Sequence, residues 1–348
     1  MNSSLTASQI ITSDVSIETA ARALEQGLLV AFPTETVYGL GADAANPAAV
    51  AAIYAAKGRP QDHPVIVHLA PGAPLTDWAA EIPPEAYQLA AAFWPGPLTM
   101  ILKRAAHVPS AVSGGQDTIG LRCPAHPVAI ALLEQFKGGR GGIAAPSANK
   151  FGHVSPTTAQ HVRDEFAADA SVAMVLDGGA SAVGIESTIV DLSRLATHGP
   201  VLLRPGHISA AAIAAVIDML PAAPDQAAPR ASGTLESHYA PHTPVAMQET
   251  AVLTATIGQL QQRGRKLALV HYSDLPASHA HVRLPAAPEG FAHALYAALR
   301  QMDGSGADLI LVEAPPQGPD WAGVNDRLRR AAHGSSGIVH GLLNAVAP

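Results

Sequence analysis

Residues 32–41 read FPTETVYGLG, directly after the apolar run LLVA at 28–31. LLVAFP, 28–33, has the length and composition of a short buried strand. Such a strand ordinarily ends in a Gly, Asn or Asp turn. Here it ends in two threonines around a glutamate, then a tyrosine between small residues. Polar side chains set at the end of a rigid strand are how an α/β sheet presents groups to a ligand. Downstream, Asn46-Pro47 precedes AAVAAIYAAKG. That pattern predicts a helix with an Asn N-cap, a proline in the first turn, and Lys57-Gly58 closing it.

The same alternation continues outward. Strands are predicted at 64–69, 98–103, 118–122, 142–146, 172–177, 187–192 and 201–204, with helices at 15–26, 84–93, 126–136 and 157–168. Interleaving of this kind implies an open α/β sheet with mixed strand directions. After residue 208 a short helical stretch gives way to Pro, Ala, Ser and Gly with little apolar periodicity, the composition of a long linker. The pattern restarts as helix 249–263, strand 266–271, helix 289–302, strand 308–313 and helix 322–332. The predicted organisation is a larger domain at 1–208, a linker at 209–243 and a smaller α/β domain at 244–348.

The chain has 348 residues, a formal net charge of -7, 48% hydrophobic and 14% charged residues, and one cysteine, Cys123. A single cysteine forms no intrachain disulfide. No apolar run is long enough to span a bilayer, and MNSSLTASQIITSDVS lacks the basic start and apolar core of a signal peptide, so the expectation is a soluble cytoplasmic protein. Net negative charge and 4% aromatic residues argue against a general nucleic-acid surface, and against direct tRNA binding. The sixteen histidines are scattered, with no H-E-x-x-H and no paired cysteines. No resident metal is expected; magnesium would arrive on a nucleotide.

Polar residues recur at the predicted strand ends: Thr34 and Thr36, His68, Arg122, Ser147 and Asn149, and Arg204. Each has a bland reading as well. Threonines after a strand commonly bond nearby backbone. Lys57 and Arg59 suit a helix C-terminus without any function. Gly39 and Gly41 fit a turn at positive φ or a close approach to a ligand. Arg122 and Arg204 sit in apolar strand ends and need partners, either an internal acid such as Asp117 or Asp177 or an anionic substrate. Ser155 suits ordinary helix capping, and the start of the 157–168 helix, with Thr157, suits an anion. PSAN around Ser147 lacks the G-x-S-x-G elbow of a serine hydrolase. Several inward cations in an acidic chain favour a polyanionic ligand.

Taken in order, FPTETVYGLGADA, KGRPQDHPVIVHL, FWPGPLTMIL, TIGLRCPAHPVA, IAAPSANKFGHVSPT, VLDGGASAVGIESTIVDLS and VLLRPG resemble the threonylcarbamoyl-AMP synthase family. SHYAP in the linker and GVNDRLRRAA near the C-terminus resemble its long, two-domain form. The resemblance implies a YrdC-like twisted open mixed sheet with flanking helices, followed by a smaller Rossmann-like domain. It implies that L-threonine, bicarbonate and ATP, the last carrying Mg2+, become threonylcarbamoyl-adenylate, pyrophosphate and water. The product would pass to a tRNA threonylcarbamoyl transferase complex that modifies the adenosine beside the anticodon. By resemblance, Thr36, Thr34, His68, Arg122, Ser147 and Ser187 hold threonine, Arg122 meeting its carboxylate as a fork. Arg59, His63, Thr118, Asn149, Thr157, Arg204 and Tyr239 line the nucleotide side, with Tyr239 folding back over it. Lys57 and Arg59 stabilise phosphate or bicarbonate charge. Two positions depart from the family pattern: His63, where asparagine is common, and Phe151, where a small serine is common. An RNA-binding module, or another carbamoyl or adenylyl transferase, are the competing functions for this scaffold.

Overall fold

The computed structural model describes residues 14–276 and 278–344; the N-terminal stretch inspected for a leader lies, through residue 13, outside the described residues. The chain divides into two compact units, one of residues up to 151 with 156–234, the other of 152–155 with 235 onward. Among the described residues no helix is long and apolar enough to cross a membrane.

The first unit is built on one large mixed sheet. Its strands are β1 Leu29–Phe32, β2 Gly39–Asp43, β3 Ile66–His68, β4 Ala79–Ala80, β5 Leu98–Arg104, β6 Thr118–Arg122, β7 Ile143–Ala144, β8 Val172–Val175, β9 Thr188–Asp191 and β10 Val201–Arg204. They lie in the order β10-β9-β5-β6-β3-β7-β2-β1-β8, with β4 on β5. All eight strands predicted here are present, several trimmed at their ends. β2 and β4 were not predicted.

Residues of one parity, among them Ala31, Leu40, Val67, Met100, Leu121 and Val190, stand side by side in register and join the main apolar core. Helices cover that core, including Asp14–Glu25, Pro84–Phe93, Pro127–Gln135 and Ala210–Ile217. The helix Pro47–Lys57 begins and ends as its sequence predicts: Asn46 accepts from Ala48 N and Ala49 N at 3.0 and 3.3 Å, and Gly58 closes it at φ 62°. The helix predicted at 157–168 is shorter, Ala159–Glu165, and its cap is Thr158, which accepts from His161 N at 3.2 Å, not Ser155.

The second unit has four parallel strands, β11 Val245–Gln248, β12 Leu267–His271, β13 Ala280–Arg283 and β14 Leu309–Glu313, in the order β11-β14-β12-β13. At the carboxyl end of this sheet the buried Glu313 carboxylate accepts from Thr250 Oγ1, Ser273 Oγ, Tyr272 N and Ser273 N at 2.6–3.0 Å. Burial, the largest single effect, raises its pKa, but the four bonds together outweigh it, hold the charged form and leave the pKa lowered. Its acceptor sites are filled, so it is a tie between strand ends.

Candidate active site

The sequence places the polar residues beyond the carboxyl ends of the strands. His68, Arg122 and Arg204 do end β3, β6 and β10, and Thr34, Thr36, Ser147 and Asn149 do follow β1 and β7, but strand ends alone do not bring them together. β1, β5, β7 and β9 run one way, while β3, β6 and β10 run the other, so carboxyl ends fall at both edges. Parity decides the side instead, because successive side chains alternate across the sheet. His68 stands beside Arg122, and Ile66 beside Gly120, in the parallel pair β3–β6. Ile101 is opposite Gly120, and Thr99 is beside Ile189. Thr118, His68, Arg122 and Thr99 therefore point to one side, opposite the main core.

The 33–38 turn answers the question its sequence poses. Thr34 Oγ1 donates to Val37 O at 2.6 Å and lies 2.8 Å from Thr36 Oγ1, so both hydroxyls are buried within the turn. Tyr38 donates its hydroxyl to Gly179 O at 2.7 Å and accepts from Gly178 N at 3.2 Å, which ties the 178–179 loop to the turn. Burial pushes its phenol up to about 12. Gly39 and Gly41 are not a turn and do not need positive φ. They lie in β2, and a Cβ on Gly41 would meet the Phe32 ring at 2.8 Å and Ile143 at 2.9 Å. Their missing side chains let Phe32 lie across β2 and bring its edge to His68, with ring centroids 6.1 Å apart.

His68 is 3% exposed, and its Nδ1 has no hydrogen-bond partner among the described residues. Burial first, then the Arg122 charge, pull its pKa from 6.5 to about 3, so the ring is neutral at physiological pH. The unfolded chain takes up a proton near pH 6.5 that the native state refuses. Stability from this group is therefore full above about pH 6.5 and is lost as pH falls towards 3, by about 1.4 kcal/mol per pH unit. His68→Gln is expected to flatten urea-unfolding stability against pH across that window. An unchanged acid slope would mean that native His68 is protonated there.

Neither arginine finds the acid suggested by sequence, since Asp117 pairs with Lys103 and Asp177 with Arg163. Arg122 donates from Nη2 to Glu35 Oε1 at 2.6 Å and from Nε to Gly96 O at 3.2 Å. Arg204 donates from Nε to Ser187 O at 3.0 Å, from Nη2 to Ser187 Oγ at 3.1 Å and from Nη1 to Ser232 O at 2.8 Å. Ser187 Oγ also lies 2.8 Å from Thr99 Oγ1. Arg59 donates from Nη2 to Pro64 O at 2.8 Å and to Ser232 Oγ at 3.3 Å. Ser232, in the stretch read as linker, thus joins Arg59 to Arg204. Its neighbour Ala231 is buried with Ile66, Ile101, Ile189, Val201 and Leu203 on the sheet.

Lys57, read from the sequence as stabilising phosphate or bicarbonate charge, is bonded to backbone carbonyls in this geometry. The residue is 2% exposed, and its ammonium donates to Ser147 O at 2.6 Å and to Asn149 O, which fixes the loop bearing both side chains. Burial, and next the Arg59 charge, lower its pKa well below the usual lysine value. The two departures from the family pattern meet each other: the His63 ring stands edge-on to Phe151 at 5.5 Å, and the Arg59 guanidinium lies 5.8 Å from the Phe151 ring. Thr157 N donates to His161 Nδ1 at 3.2 Å. Tyr239 belongs to the second unit, buried at φ 61° against His238, Tyr296 and the Arg327 guanidinium.

The first unit thus gathers Arg59, Arg122 and Arg204, each no more than 6% exposed, with neutral donors and acceptors between them. Such a site can hold several anionic groups together away from water. Reading by strand ends missed Thr99 and Ser232, and left Glu35 undecided between capping a turn and holding a base. For Glu35 the signal was there, as a carboxylate between two threonines in an otherwise apolar stretch; Ser232, half-buried, lay in a stretch whose composition conceals its contact with the sheet.

A family described as Telomere recombination matches residues 22–206, and one described as the C-terminal domain of threonylcarbamoyl-AMP synthase matches 208–333. The chain is similar to the threonylcarbamoyl-AMP synthase of Pyrococcus abyssi, 40% identical over 329 residues, 91% of this chain and 94% of that one. It is also similar to that of Bacillus subtilis, 38% identical over 341 residues, 94% and 95% of the two chains. In fold it is similar to a crystal structure of P. abyssi Sua5 complexed with L-threonine, with a TM-score of 0.85 and 38% identity over 93% of this chain and 96% of that one.

Proposed function

The chain belongs to the threonylcarbamoyl-AMP synthase family, and on that premise we propose that its first unit joins L-threonine, bicarbonate and magnesium-bound ATP into threonylcarbamoyl-adenylate, pyrophosphate and water. The threonine amine attacks the bicarbonate carbon and water is lost. A carbamate oxygen then attacks the α-phosphorus, and pyrophosphate leaves. Two anions and a polyphosphate must meet in one place, so their mutual repulsion is the main obstacle to be offset.

The observation that carries this reading is the gathering of Arg59, Arg122 and Arg204 on one side of the sheet, already desolvated and held by backbone carbonyls, hydroxyls and Glu35. Charges fixed before the substrates arrive need little reorganisation during reaction. In this reading His68, Arg122, Ser147 and Ser187 serve threonine with the 34–36 turn, and Arg59, His63, Thr118, Asn149, Thr157 and Arg204 serve ATP. The same reading places the enzyme in the cytoplasm and passes its adenylate to a separate complex that modifies tRNA.

The test is pyrophosphate release by the full chain with magnesium-ATP, omitting threonine and bicarbonate in turn. Release is expected to require both and to fall about 100-fold or more in Arg59→Ala. Release indifferent to threonine would overturn the proposal.

A further inference from the structure

Glu35 and Arg122 form an ion pair whose side chains are only 11% and 5% exposed. A pair serving only as a brace is expected to satisfy its own bonding capacity, because each buried polar atom left short costs stability. This pair does not. Glu35 accepts one bond on each oxygen, from Arg122 Nη2 and from Ala125 N at 3.0 Å, which leaves about half of a carboxylate's roughly four acceptor positions open. Arg122 uses Nη2 and Nε, while Nη1 donates to nothing among the described residues. Open acceptor and open donor capacity therefore sit beside each other on a buried face. In register with Arg122 stands His68, whose Nδ1 also lacks a partner among the described residues.

Those vacancies have a chemical complement. An α-amino acid presents a carboxylate and an ammonium on adjacent atoms, and threonine adds a hydroxyl one carbon further. We propose that Glu35 is a specificity-determining residue that takes the substrate's α-ammonium, while Arg122 takes its carboxylate through Nη1. This deepens the synthase reading and rests on it. It also revises the fork expected of Arg122: Nε and one side of Nη2 are committed to the protein, and the carboxylate shares the guanidinium with Glu35. The turn supports this placement. Its backbone is fixed by Thr34 and by Val183 N, which donates to the Glu35 carbonyl at 2.7 Å, so the carboxylate is aimed from a rigid frame.

The proposal is tested by calorimetric binding of two ligands to the full chain: L-threonine, and 2,3-dihydroxybutyrate of the same configuration, in which a hydroxyl replaces the ammonium. A charge-assisted contact predicts that the wild type prefers threonine by roughly 10- to 100-fold. Glu35→Gln retains an oxygen for Ala125 N but loses the charge, and should bring the two ligands within about threefold of each other. Equal weakening of both ligands in the variant would make Glu35 a brace of Arg122 and overturn the proposal. So would equal binding of both by the wild type, a result that needs no variant to fold. A wild type that binds the hydroxy acid but not threonine defeats the proposal alone. Binding of neither, together with threonine-independent pyrophosphate release, defeats the synthase reading with it.

Discussion

Lys57→Met is expected to lower threonylcarbamoyl-adenylate formation by about 100-fold or more while costing only about 1–3 kcal/mol of stability. The split follows from what the ammonium touches. It holds the carbonyls of Ser147 and Asn149, residues assigned to threonine and to ATP respectively, and Phe151 N returns a bond to the Lys57 carbonyl at 2.8 Å. Methionine matches the side chain in length but donates nothing, so two carbonyls lose a strong donor at about 1–3 kcal/mol each. Against that loss, the native state no longer buries a charge it binds reluctantly. Because folded Lys57 takes its proton less readily than the unfolded chain does, its charged form costs stability below pH 10.5, and the substitution removes that cost. Catalysis gains no such offset, since displacing the 147–149 loop by about 1 Å suffices for a 100-fold loss. Pyrophosphate release and urea unfolding measured on the same preparation check both halves. A folded variant with near-wild-type turnover would sink the positioning role.

Gly206→Ala is expected to destabilise the first unit by about 3 kcal/mol or more and to abolish activity. An alanine Cβ would lie 2.5 Å from Thr188 N and 2.8 Å from both Glu186 O and Ser187 C. These are backbone atoms, so no rotamer change relieves the overlap, and overpacking of this kind costs about 1–3 kcal/mol even where side chains can yield. The backbone of Gly206 is not at positive φ, which makes this a matter of space alone. What would be displaced is the segment carrying Ser187, together with its bonds to Arg204 and Thr99. Thermal unfolding of the variant, followed by a crystal structure if it folds, is the check. Wild-type stability would show that the close approach is not maintained in solution.

Local pattern alone sufficed for the parts of this fold whose causes are local. The helix Pro47–Lys57 needs only its Asn cap, its proline and its closing glycine, and those lie within thirteen consecutive residues. The apolar runs that became β5, β6 and β10 are equally self-evident, because a buried strand is defined by its own composition. β2 was invisible for the opposite reason. GLGAD contains two glycines, which local reasoning assigns to a turn, and only Phe32, packed over them from the neighbouring strand, makes them necessary. The residues bearing chemistry were legible one by one, as polar types in apolar surroundings and as motifs of a recognisable family.

Their arrangement was decided elsewhere. Strand directions come from pairing between segments remote in sequence, and in a mixed sheet they put carboxyl ends at both edges, so parity rather than strand end brings His68, Arg122 and Thr99 to one face. The contact of Glu35 with Arg122 spans 87 positions and that of Lys57 with Ser147 spans 90. Sequence by itself determined the α/β class, the helix with its caps, the family and the inventory of cations. Tertiary structure alone decided the partner of each cation, because a buried charge is satisfied by whatever donor or acceptor the folded chain brings within about 3 Å of it, however distant along the chain.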